Sequence, residues 1–285
     1  MVAGNNPTWR QHYLPAVYLQ QFSVDGSQGG RGSMVWRLSS RINQDVVVED
    51  QCYERFYNSE SDPARAEAVF QNYEGLYGQL AQRIWRHEEA ESQRNYFGLV
   101  AFMISLHFRN PAYANRTKDE RIAVYVDLEG EFLVQSLGVR VNSLSPSLEH
   151  LQLFTDAWDV RLMTAEEAPL LTSDNPSMVF HQDELPRLII LPVTPGCIAV
   201  AFDKRCFPSI HSQSLTRADI ERMNRLQIHS CVKAVFSSEQ IKPDDEAEIR
   251  KCWTTRTPPP GFVDFENWGA NYRGMEPFDF LSRSL

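Results

Sequence analysis

Apolar positions along this chain change their period several times, and each change predicts an element. In HYLPAVYLQQF, residues 12–22, the apolar side chains stand at 14, 17, 18, 19 and 22. That is one face of a short helix, and Pro15 is tolerated in a first turn, where its missing N–H is no loss. MVWRLSS (34–40) and part of INQDVVVED (42–50) alternate instead, which predicts a strand pair of hairpin type. From Asp62 the helical period returns. Asp62-Pro63 offers an N-cap with proline at the first helical position. Ala66, Val69, Phe70, Tyr73, Leu76, Tyr77, Leu80, Ile84 and Trp85 then hold one face for more than five turns. A second helix, from about Asn95 to Phe108, is apolar almost all round and belongs at the centre of a core. It stops at Asn110-Pro111, because a residue before proline is pushed out of the helical region. Residues 116–136 and 146–155 predict two more helices.

Past residue 157 the pattern is strand-like. Residues 158–165, 170–180 and 188–203 carry β-branched runs broken by turns, and a helix returns over 216–236. These elements predict an α+β fold, with a helix-rich N-terminal half packed on a mostly antiparallel sheet from the C-terminal half. Residues 1–10 read as a polar tail and 11–252 as one domain. Residues 253–285, with three prolines at 258–260, read as an aromatic, proline-rich tail wrapping it.

Composition narrows the class. The chain has 285 residues, near the upper end of what one core serves, so one large domain or two intimately packed halves both fit. With 42% apolar residues, disorder of the whole chain is excluded. A net charge of −9 without a basic stripe disfavours extended duplex binding, since phosphate neutralisation dominates that affinity. A small molecule, a nucleotide or a short single strand in a local pocket stays compatible. Five cysteines without C-x-x-C spacing argue against a disulfide framework and a zinc ribbon. No stretch reaches the ~18 apolar residues of a membrane span, and the first residues lack an apolar signal region. A cytoplasmic protein with reduced thiols is expected, and nothing indicates its oligomeric state.

Several tempting motifs dissolve on inspection. Gly26-Ser27-Gln28-Gly29-Gly30-Arg31-Gly32 fits neither G-x-G-x-x-G nor the P-loop, and reads as a hairpin connection. His87-Glu88-Glu89 lacks a second histidine four residues on, and reads as a solvated helix end. No segment forms a nucleophile elbow.

Four other segments, in order, carry a resemblance. His12-Tyr13-Leu14-Pro15 with Tyr18-Leu19 and Phe22 is similar to the opening H-Y-x-P-x-x-Y-L-x-x-F of the DUF4238 family. Glu67 and Glu74 resemble its paired glutamates seven apart, and Arg109-Asn110-Pro111 resembles its R-x-P. Thr172-Ser173-Asp174-Asn175-Pro176, followed by Leu191-Pro192-Val193-Thr194-Pro195, resembles its S-D-N-P region. A weaker echo is Asn224 with Ala234-Val235-Phe236, placed near the end of the last long helix. The family is uncharacterised, so the resemblance supplies residues and no reaction.

Two readings of those residues stand. His12 changes charge near neutral pH and suits a general base or a metal ligand, or else a capping or packing role beside Pro15. Asp174 suits a base or a ligand for a hard cation, with Ser173 and Asn175 orienting substrate, or else all three form a structural turn. Glu67 and Glu74 share a helix face about 10.5 Å apart, too far to share a proton. Arg109 is the candidate partner for a buried Glu74, or a bidentate binder of phosphate or carboxylate. One reading is therefore a hydrolase, metal-dependent or not, acting on a nucleotide or short nucleic acid. In it His12, Glu74 and Asp174 are catalytic, Tyr13, Arg109, Ser173 and Asn175 bind substrate, and a divalent metal, if any, sits on His12 and Asp174. The other is a non-catalytic binding or interaction module in which the same residues form a structural network. Polar groups bordering apolar segments should converge in space, and these residues are expected to line one shared pocket.

Overall fold

The computed structural model describes residues 10–24, 32–55, 71, 74–75, 77–84, 93–109, 156–182, 185–207, 210, 214–255, 263–264 and 278–282. In chain order the strands are β1 (Arg10–His12), β2 (Met34–Ser39), β3 (Asn43–Val47), β4 (Tyr53–Arg55), β5 (Trp158–Thr164) and β6 (Thr172–Ser173). They continue with β7 (Met178–Gln182), β8 (Leu185–Thr194), β9 (Cys197–Asp203), β10 (Ala234–Ser237) and β11 (Val263–Asp264). The helices are α1 (Ala16–Leu19), α2 (77–84), α3 (Gln93–Phe108), α4 (Arg217–Ser230), α5 (Pro243–Thr255) and α6 (Asp279–Ser282).

Three sheets form. The largest has the order β11-β7-β8-β9-β5, antiparallel except for the β11–β7 pair. A second, β3-β2-β10-β6, is antiparallel throughout, and β1 pairs with β4 alone. Side chains alternate across a strand, so the unbroken apolar runs of β8 and β9 need cover on both faces. Ile189, Leu191, Val193, Ala199 and Ala201 join one core with Tyr18, Tyr77, Leu99, Phe102 and Met103. Leu188, Ile190, Ile198, Val200 and Phe202 face the other way, onto Ile220, Met223, Leu226, Phe278 and Phe280. Helices α2 and α3 thus serve one face of the sheet, and α4 and α6 the other.

That arrangement corrects the predicted architecture. The fold is α+β, but its helices are not concentrated in the N-terminal half. Among the described residues α4, α5 and α6 come from the C-terminal half, while β1 to β4 come from the N-terminal half. The reason is the two-sided sheet, whose second face needs a helical layer that the C-terminal half itself provides. A second difference concerns residues 216–236. The helix ends at Ser230, and Ala234-Val235-Phe236 is strand β10, fully buried between β2 and β6. A run of β-branched and aromatic residues belongs in such a central strand. Helix α5 has no counterpart among the expected elements, and Phe278, Phe280 and Leu281 of the expected tail are core residues.

The helix after Pro15, the β2–β3 hairpin, α3 and the strands after residue 157 lie where the periodicity put them. The helices expected at 116–136 and 146–155, the Gly26–Arg31 part of the glycine-rich loop, His87-Glu88-Glu89, Asn110-Pro111 and Glu67 lie outside the described residues. So do residues 1–9. Among the described residues no helix is long and apolar enough to cross a membrane.

Candidate functional site

The residues singled out from sequence fall into two groups that adjoin. The first is built around Arg109, which α3 delivers at its C-terminal end and which is only 2% exposed. Its Nη1 donates to Glu74 Oε1 at 2.9 Å and its Nη2 to the backbone oxygen of His12 at 2.6 Å. The Glu74–Arg109 ion pair considered from sequence is therefore formed, and it also anchors β1. The half-buried His12 ring lies edge-on to Tyr53, ring centroids 5.8 Å apart, with Nε2 at 3.2 Å from the Glu49 carbonyl oxygen. Its neighbour Tyr13 is buried, and its N–H donates to the Cys52 carbonyl at 2.9 Å. Cys52 itself adopts φ of +52°, a left-handed conformation that costs a residue with a Cβ about 1 kcal/mol or more. Burial first, then the Cys52 thiol and the Asp174 carboxylate, push the Tyr13 hydroxyl far above its ordinary pKa, so it stays a neutral phenol.

The second group is the Ser173-Asp174-Asn175-Pro176 turn, which grips the C-terminal end of α4. Both Asp174 oxygens accept backbone N–H groups, from Val232 and Lys233, each at 2.7 Å. The Asp174 N–H donates to the Ala234 carbonyl at 3.1 Å. Ser173 Oγ donates to Gln227 Oε1 at 2.8 Å, and Gln227 Nε2 donates to the Pro176 carbonyl at 2.9 Å. Asn175 Nδ2 donates to the Ser230 carbonyl at 3.1 Å, and Ser230 Oγ returns a bond to the Asn175 carbonyl at 3.2 Å. These contacts explain why α4 stops where it does. The carboxylate claims the next two N–H groups, and the chain leaves the helix to become β10. Burial raises the Asp174 pKa from the ordinary 3.8 to about 6, against the two N–H bonds and the Lys233 charge, which pull it down.

Residues outside the original candidate set complete the network. Tyr18, fully buried, has its hydroxyl 2.6 Å from Thr172 Oγ1 and donates to the Pro192 carbonyl at 2.7 Å, so it joins the first and the last of the family-like segments. Tyr77 stacks on Phe102 at 4.1 Å and donates to the Val193 carbonyl at 2.9 Å. Asn224 accepts from the Leu171 N–H at 2.7 Å and donates to the Pro169 carbonyl at 3.1 Å. A signal for these was present. Asn224, Gln227 and Ser230 recur every third residue, which places three uncharged polar groups along one stripe of α4.

Chemically, the arrangement engages most of its polar atoms within the protein, Asp174 with backbone N–H groups and Ser173 with the Gln227 side chain, while Asn175 Oδ1 is buried without a hydrogen-bond partner among the described residues. Ser173, Asp174 and Asn175 are 0%, 2% and 5% exposed, so they sit behind the surface rather than along a cleft. Among the described residues no group of three His, Cys, Asp or Glu side chains is arranged to hold a metal ion. The groups at Arg109 and Asp174 meet through Tyr13 and Cys52, where Tyr13 feels both the thiol and the carboxylate. None of the five cysteines is in a disulfide.

With that geometry in view, the chain belongs to the DUF4238 family, described as a protein of unknown function, whose model matches residues 10–152 and 141–240. Comparison with curated proteins and with solved structures returns no match.

Proposed function

We propose that this member of the family is a non-catalytic binding module, whose motif residues form a buried scaffold rather than a reaction centre. One observation carries the reading: both oxygens of Asp174 are spent on the N–H groups of Val232 and Lys233, at 2.7 Å each. A carboxylate so engaged, and only 2% exposed, holds the α4–β10 corner behind the surface rather than facing a substrate. Ser173 and Asn175 are tied to Gln227 and Ser230 in the same way. Arg109 ties α3 and Glu74 to β1. The cysteine pattern of the sequence, five residues without C-x-x-C spacing, fits a reducing, cytoplasmic setting.

A hydrolase acting on a nucleotide or short nucleic acid is the rival use of these residues, and Asp174→Ala separates the two. On the scaffold reading the N–H groups of Val232 and Lys233 lose a charged acceptor, at about 1–3 kcal/mol each, so the variant melts below the wild type. On the hydrolase reading the variant keeps the wild-type melting temperature and loses turnover of a nucleotide or oligonucleotide panel. An unchanged melting temperature would overturn the scaffold.

A further inference from the structure

A cavity of about 330 Å³ opens where the end of β2 meets the start of β10, and none of the candidate site residues lines it. Its walls include Arg37, Ser40, Arg41, Val232, Lys233 and Trp253. The chain as a whole carries a net charge of −9, so three cations around one small cavity run against its overall charge. Their partners differ. Lys233 is paired with Glu54 at 2.5 Å and stands 5.2 Å from the centre of the Tyr13 ring. Arg37 donates Nη1 to Gln51 Oε1 at 2.9 Å, and its Nε is buried with no hydrogen-bond partner among the described residues. Neither Arg37 nor Arg41 pairs with a carboxylate among the described residues.

The walls are held rigidly. Arg250 Nη1 donates to the carbonyls of Ser39 and Ser40 at 2.8 and 2.9 Å, which fixes the turn carrying Arg41. Asp174 fixes Val232 and Lys233 from behind through their backbone N–H groups. Trp253 is anchored through Nε1 to the Ile228 carbonyl at 3.1 Å. Two guanidinium forks suit a phosphate better than a lysine does, because they match its oxygens in geometry as well as charge. The tryptophan adds an aromatic wall, and the volume lies at the low end of small-molecule sites, too small for a polymer.

We infer that this cavity is a binding site for a small phosphorylated ligand carrying a flat ring, of the mononucleotide kind, with Arg37 and Arg41 on the phosphate and Trp253 against the ring. The ligand class deepens the binding-module reading and rests on it only for the absence of turnover.

Isothermal titration calorimetry of the full chain with adenosine monophosphate, ribose 5-phosphate and inorganic phosphate tests it, with phosphate release assayed in the same samples. Saturable binding of the nucleotide, tighter than of inorganic phosphate, is expected. Arg37→Gln and the exposed Arg41→Gln should each weaken it about tenfold or more, the usual effect of losing a charged hydrogen bond. Arg41→Gln removes no described side-chain contact, so its fold is secure even if Arg37→Gln proves unstable. Absence of heat with all three compounds, or binding unchanged by Arg41→Gln, would overturn the site. Equal affinity for nucleotide and inorganic phosphate would overturn the ring contact. Binding accompanied by phosphate release would uphold the cavity and overturn the non-catalytic reading instead.

Discussion

Replacing Asp174 with asparagine changes how stability responds to pH, and the direction follows from burial. The folded-state pKa of this carboxyl is about 6, against 3.8 ordinarily, with burial the dominant cause. Between those values the folded state binds the proton more readily than the unfolded chain. The carboxyl's contribution to stability is therefore full below pH 3.8 and is lost as pH rises through about 6. The whole shift amounts to roughly 3 kcal/mol at about 1.36 kcal/mol per unit, of which roughly 1 kcal/mol is regained between pH 7 and pH 5. The amide of the Asp174→Asn variant does not titrate, so subtracting the variant's unfolding free energy from that of the wild type isolates the term. Urea denaturation followed by fluorescence, at half-unit steps from pH 7.5 to 4.5, should show the difference moving in favour of the wild type as the pH falls. A flat difference, or one moving in favour of the variant on acidification, would refute the argument. It would mean that the Val232 and Lys233 N–H groups outweigh burial and hold the group ionised.

Other perturbations probe other parts of the scaffold. Asp203 is the converse case: burial would raise its pKa, but bonds from Arg205 and Arg187 hold it below the ordinary value. The stability it contributes is present above about pH 4 and lost on further acidification, so Asp203→Asn should cost most at neutral pH and least in acid, in a urea series extended down to about pH 2.5. Glu74→Ala leaves the buried Arg109 without its carboxylate. With Glu74 24% exposed, the cost should be about 2 kcal/mol, short of the 3–5 kcal/mol of a wholly buried pair, and a double-mutant cycle with Arg109→Met measures the coupling. Tyr18→Phe removes a hydroxyl bonded to Thr172 and Pro192, and should lower stability by about 1–3 kcal/mol in chemical denaturation. Cys197 and Cys231 are buried, and burial pushes the Cys197 thiol up to about 12, so a thiol reagent at pH 8 should label at most three of the five cysteines before unfolding.

Local order was legible wherever a segment's own periodicity matched its environment. The helix after Pro15, the β2–β3 hairpin, the apolar α3 and the strands of the large sheet all declare themselves in a few residues of apolar spacing, because one-face burial imposes that spacing. The importance of Arg109 and Asp174 was equally legible, since an ionisable residue at the border of an apolar run must find a partner. Their partners were not. Arg109 bonds Glu74, 35 residues away, and Asp174 bonds N–H groups 58 and 59 residues away. No local pattern encodes such distances. The misplaced end of α4 has the same origin: VKAVF can continue a helix, and it becomes β10 because Asp174 takes two N–H groups and a gap between β2 and β6 takes the strand. The division of helices between two faces of one sheet also depended on assembly, for a strand apolar on both sides shows that it needs two covers without showing which segments supply them. The cluster of Arg37, Arg41, Lys233 and Trp253 was invisible for the same reason. Each is an ordinary surface-type residue in its own segment, and only the pairing of β2 with β10 sets them around one cavity.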